Sequence, residues 1–107
     1  MANPWAGEVE VVLNGAPLVA KLTLGALAEL EAGLVTGSLL DLVERFESGR
    51  FSTRDVIAVL LAGLRGGGWR GSAADLSGAE IGGGPLAAIR IAAELLARAF
   101  TLPEAEA

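Results

Sequence analysis

The chain has 107 residues, of which 52% are hydrophobic and 15 are glycine; it has no cysteine or histidine, and its 8 basic and 13 acidic side chains give a formal charge of −5. That length holds one domain, and the apolar share excludes a wholly disordered chain. Without cysteine or histidine there are no disulfides, no thiolate ligands and no conventional nucleophile–histidine pair, and the acidic balance argues against nucleic acid, whose phosphates call for Lys and Arg.

The opening Met1-Ala2-Asn3-Pro4-Trp5 carries no basic stretch followed by an apolar one, so it does not read as a signal peptide. The longest apolar run, 56–62 with Gly63 and Leu64 added, is far shorter than the roughly 20 residues of a membrane span. These features point to a soluble cytoplasmic protein with no membrane partner. Val9, Val11 and Leu13 alternate with Glu8, Glu10 and Val12, then Asn14-Gly15 offers a tight turn, and Leu18, Ala20, Leu22 and Leu24 alternate with Val19, Lys21 and Thr23. The pattern predicts a β-hairpin over 8–13 and 17–23, with Pro17 at a strand start or on an edge because it donates no ladder bond. Two strands alone are marginal in water and need the helices that follow. Their edges read as exposed, and strand pairing between copies is one route to a homo-oligomer.

From Thr23 the period changes to a helical one, with Leu24, Leu27, Leu30 and Leu34 as its stripe, Thr23 as the cap, and Gly33 or Gly37 as the stop. Ser38 with Asp41 has capping-box spacing and opens a helix striped by Leu39, Leu42, Val43 and Phe46, which Gly49 ends. Ser52 with Asp55 repeats the device, and Phe51 and Val56 have the spacing of a hydrophobic staple. The helix predicted over 53–65 is apolar nearly all round, which marks it as the central one. Gly66-Gly67-Gly68 then breaks the chain, and Ser72 with Asp75 starts a short helix over 73–80. Gly82-Gly83-Gly84 breaks it again before a last helix with Pro85 in first position and Leu86, Ile89, Ala93, Leu96 and Phe100 as its stripe. The fold class expected is α+β, an amino-terminal hairpin packed on a bundle of about five short helices, forming one domain over 1–101 with an acidic frayed tail at 102–107.

Candidate chemistry is sparse. The stretch from Gly63 to Gly71 is glycine-rich enough to present backbone N–H groups to a phosphate, but it follows a helix rather than a strand and ends without the Lys-Ser/Thr pair. It reads equally as a helix connection with Trp69 tucked against the core, or as a partner contact, because Arg65, Trp69 and Arg70 are residue types enriched at binding hot spots. Glu29 and Glu31 do not face each other on a helix; Glu44 and Glu47 do, without any sign of the buried acid that acid–base catalysis needs. No segment has calcium-loop spacing. The reading is therefore non-enzymatic, with no cofactor and no metal. The remaining possibility is surface chemistry, either a partner-binding apolar patch or alanines scattered without consequence.

Four segments carry a resemblance: Asn3-Pro4-Trp5-Ala6-Gly7-Glu8-Val9, Leu13-Asn14-Gly15, the junction from Leu22 to Glu31, and Gly63-Leu64-Arg65-Gly66-Gly67. Over about residues 3–100 the chain resembles the small tail protein of alphaproteobacterial gene transfer agents, phage-like particles encoded in bacterial chromosomes. That family is similar to tail assembly chaperones of long-tailed phages and has also been labelled a tail tube protein. The resemblance implies no catalytic residues. It implies a chaperone that coats the tape-measure protein, keeps it soluble until tail tube subunits polymerise around it, and is absent from the finished particle. An amphipathic tape-measure helix would then dock beside the all-apolar helix or the Gly-rich loop. The alternative is a structural tail tube component that stays in the particle.

Overall fold

The computed structural model describes residues 2–34 and 37–100. The tail expected at 102–107 lies outside the described residues. A single 3-10 turn, Pro4–Ala6, leads into strands β1 (Glu8–Leu13) and β2 (Ala16–Lys21), followed by helices α1 (Leu24–Ala32), α2 (Leu39–Ser48), α3 (Thr53–Gly66), α4 (Ala73–Ser77) and α5 (Gly84–Phe100). This is the α+β arrangement expected from the sequence.

The hairpin forms because Asn14 and Gly15 both adopt positive φ, 51° and 83°, as a two-residue turn between right-twisted strands requires. That turn sets Leu13 opposite Ala16 and Val11 opposite Leu18. Val9, Val11, Leu13 and Ala20 are buried on the face covered by α3 and α5, while Glu10 points to solvent. Strand β2 ends at Lys21 rather than 23, because Thr23 is already capping α1: the Ala26 N–H donates to Thr23 Oγ1 at 3.0 Å. Pro17 lies opposite Val12, one pair beyond the turn, where the backbone nitrogen faces away from β1 and no donor is missed.

Helix α3 is the axis of the domain, packing against β2, α1, α4 and α5. It buries Val56, Val59, Leu60, Ala62, Gly63 and Leu64, in keeping with its nearly all-round apolar sequence. Ser38, Ser52 and Ser72 each form the predicted capping box with Asp41, Asp55 and Asp75. Gly49 takes the left-handed cap at φ 77°, and Gly33 ends α1. Phe51 stacks on Phe46 with ring centroids 4.8 Å apart, so the residue before the Ser52 cap joins α2 to α3.

Four expectations are corrected. Leu24 is 85% exposed; α1 instead buries Ala26 and Leu30, with Leu27 and Leu34 half-buried. In α5, Leu86 and Ala93 face solvent, and the buried face is Ala88, Ile91, Ala92, Leu95 and Leu96. Helix α5 packs on α3 at Gly63, where an added Cβ would lie 2.7 Å from Leu95 Cδ1, so the glycine makes room for that leucine. The helix expected over 73–80 stops at Ser77, capped by Gly78. Beyond it the chain turns at Gly78 and again at 82–83, and between the turns Ile81 forms an isolated antiparallel bridge with Leu13. Finally, α3 runs through Gly66, so the first glycine triplet begins inside the helix.

The hairpin edges, expected to be open, are covered in part. On the β1 side the Asn14 N–H donates to the Glu80 carbonyl and the Gly82 N–H to the Val12 carbonyl, both at 2.8 Å. At its other end the Glu8 N–H donates to the Asn3 carbonyl at 3.0 Å, and Arg98 donates to the Glu8 carbonyl. Along β2, Gly66 and Gly67 lie directly on the outward carbonyls of Lys21 and Val19; a Cβ there would stand 2.0 and 1.9 Å from those oxygens. Only a hydrogen fits, and it makes the Cα–H···O approach seen between neighbouring strands. Both ends of the β1 edge and two β2 carbonyls are thereby occupied, and exposed Glu10 lies between the covered ends in the middle of the β1 edge.

Candidate functional site

The predicted partner residues sit at and just beyond the end of α3 but do not share one surface role. Arg65 is in the last turn of α3, half-exposed, with its Nε 3.5 Å from Glu29 Oε1. Together with Thr23, Gly25 and Gly66 it lines a shallow cavity of about 290 Å³. Trp69 is half-buried against the core, its N–H donates to the Leu64 carbonyl at 2.9 Å, and its indole covers Gly71, where a Cβ would stand 2.1 Å from the ring. The ring is thus turned inward, as in the helix-connection reading. Arg70 is exposed.

Two other features escaped the sequence reading. Trp5 is 97% exposed, yet its backbone is firmly held: the Trp5 N–H donates to Asn3 Oδ1 at 3.0 Å and the Asn3 N–H to Glu8 Oε1 at 2.7 Å. A large aromatic ring presented to solvent on a built turn is a binding anchor by type. The signal was present as a tryptophan next to an Asn-Pro turn, but sequence alone does not say which way the ring faces.

The second feature is a cationic corner between α2 and α3. Arg45, Arg50 and Arg54 line one cleft of about 330 Å³, together with Gly33, Leu34 and Ala58. Arg45 is neutralised there by a two-pronged contact, its Nε and a terminal nitrogen each 3.1 Å from Asp55. Burial by itself raises the Asp55 pKa, but the Arg45 fork and the Ser52 N–H outweigh it and hold the carboxyl below its ordinary value. The hydrogen bond to Asp55 raises the Arg45 guanidinium in turn. Asp75 is also lowered, by the Ser72 backbone and side-chain hydrogen bonds of its capping box. The fork fixes the α2–α3 corner. Arg50 and Arg54 remain: Arg50 donates to Ser48 Oγ at 3.1 Å, and neither it nor Arg54 has an ion pair among the described residues. The clue in the sequence was three arginines within ten residues of an acidic chain.

Among the described residues no group of three acidic side chains is placed to hold a metal, and no helix is long and apolar enough to cross a membrane. What the surface offers is contact chemistry: one presented indole, one cationic cleft, and exposed leucines at 24, 40 and 86. Residues 6–101 match the family model described as "Phage tail tube protein, GTA-gp10". The chain belongs to that gene-transfer-agent tail family. The match covers both strands and helices α1 to α5, so it is not confined to one motif. No curated protein and no solved structure matches the chain. A role in the tail follows from the family. Its description fits the structural tube alternative better than the tape-measure chaperone.

Proposed function

We propose that this tail protein acts by non-catalytic protein–protein contact in the cytoplasm during assembly, as a chaperone that holds the tape-measure protein in soluble form and meets tail tube subunits as they add. The observation that supports this reading is the distribution of secondary structure. Two strands are present among the described residues; Asn3, Arg98 and the segment around Ile81 occupy both ends of the outward edge of β1, and the end of α3 lies on the Val19 and Lys21 carbonyls of β2. A ring built by continuing sheets from subunit to subunit needs open edges, whereas a helical domain with presented side chains suits the capture of a helix. The second reading, a tube component retained in the particle, is supported by the family description, and on that description alone it is the better fit.

Co-expression of the full chain with the tape-measure protein tests the first reading. The expected result is that the tape-measure protein is soluble only with this chain and co-elutes with it; unchanged solubility and separate elution would overturn the chaperone role. Trp69→Ala with Arg70→Ala, made in the same chain, tests the Gly-rich loop: unchanged capture removes that loop from the contact.

A further inference from the structure

The cationic cleft does not stand alone. A groove of about 270 Å³ between α1 and α3 is lined by Leu30, Ile57, Leu61, Ala62 and Ala73, with the Arg65-paired Glu29 also on its wall, and it shares Gly33, Arg54 and Ala58 with the cleft. The two therefore adjoin as one depression, mostly apolar, with Glu29 already paired to Arg65 on its wall, and cationic where it opens beside Arg50 and Arg54. Helices α1 and α3 run antiparallel along it, since Gly33 meets Arg54 at one end and Glu29 meets Arg65 at the other. On α3 the lining runs from Arg54 to Ala62, about 12 Å or a little over two turns of a helix. Ile57 and Leu61, one turn apart on α3, are half-buried and face this groove.

We infer that this depression is the docking site for a short amphipathic helix of another tail protein, whose apolar face covers Ile57 and Leu61 and whose carboxylates meet Arg50 and Arg54. The inference rests on the proposed role in binding tail proteins and locates the contact. Charge complementarity selects the occupant. Two guanidiniums without ion pairs converge on one cleft in a chain of net charge −5, and a planar guanidinium fork binds a carboxylate by two hydrogen bonds. The inferred occupant is a different protein whose acids lie on one face of its helix; a second copy would set one net charge of −5 against another, and self-association of the wild type that is lost in Arg50→Glu with Arg54→Glu would overturn the inference.

Overlapping 25-residue peptides tiled across the tape-measure and the other tail proteins, titrated against the full-length chain, provide the test. The peptides bound should be amphipathic and acidic. Arg50→Glu with Arg54→Glu should weaken them at least tenfold, and raised salt should weaken the wild-type complex far more than the variant's. Both arginines are exposed, so circular dichroism should find the variant folded; Arg50→Gln with Arg54→Gln gives a milder version of the same loss, and Arg90→Glu on α5 is the control that should bind normally. Equal affinity for wild type and the Arg50/Arg54 variants overturns the site while leaving the proposed function standing. Acidic peptides from a tail protein other than the tape-measure protein, lost in the variants, uphold the site and overturn the chaperone reading. Binding of inorganic phosphate but no peptide, or no binding at all, overturns both.

Discussion

The two glycine triplets, 66–68 and 82–84, look alike in the sequence and do different work in the fold. Gly66 and Gly67 have no left-handed backbone; they are glycine because α3 lies against the carbonyls of β2, with no room for a methyl group. Gly83 and Gly84 adopt φ of 90° and 75°, and their role is to turn the chain from the Ile81 bridge into α5. Gly84 has nothing within 4 Å of an added Cβ. Gly66 and Gly67 serve close approach and Gly83 and Gly84 serve handedness, while the remaining member of each triplet does the reverse: Gly68 takes φ of 107° with open space around it, and a Cβ on Gly82 would stand 2.8 Å from Val12 Cβ. The same substitution should therefore have unequal effects.

Gly67→Ala should have the largest. The methyl group would meet a backbone carbonyl at 1.9 Å that moves only if β2 moves, and a loss of about 3 kcal/mol or more in urea unfolding is expected. Gly83→Ala should come next, at about 2 kcal/mol, because it combines positive φ with a Cβ 2.6 Å from that of Ala87. Gly84→Ala meets only the φ penalty, about 1 kcal/mol. If Gly84→Ala proved as damaging as Gly67→Ala, the distinction between the triplets would fail.

The α2–α3 corner sharpens the comparison, because it is closed by charge. Asp55 titrates lower in the folded chain than in the unfolded one, so its contribution is full above about pH 4, the ordinary carboxylate range, and is lost as pH falls through the folded value. Asp55→Asn should cost about 1 kcal/mol near neutrality, since Asn keeps an acceptor for the Ser52 N–H but loses the charged fork to Arg45. Thermal melts of this variant should fall less steeply than wild type between about pH 5 and pH 3. The glycine variants should keep the wild-type slope.

Legibility in the sequence followed the range of the interaction. The Asn14-Gly15 turn, the three Ser-x-x-Asp boxes and the Gly49 cap depend on neighbours three or four residues away, and each was readable. The face of α5 was misread because several stripes of helical spacing fit so apolar a segment; Leu86, Ala93 and Phe100 fall on its exposed side, and Leu95, which packs on Gly63, falls on the buried one. The bridge from Ile81 to Leu13 joins residues far apart in the chain, and no local pattern announces it. The candidate surface was the least legible part. Residue type singled out Trp69, which faces inward, and passed over Trp5, which faces out. Arg50 and Arg54 become one feature only when the α2–α3 corner brings them to the same cleft.

The central claim, a helical tail protein that works on its partners during assembly, is tested most directly by quantitative mass spectrometry of purified particles beside complexes captured on this chain. The account predicts the tape-measure protein in the captured complexes and this chain missing from the particles. Stoichiometric presence in the particles, with no tape-measure protein captured, would contradict it and establish the tube component instead.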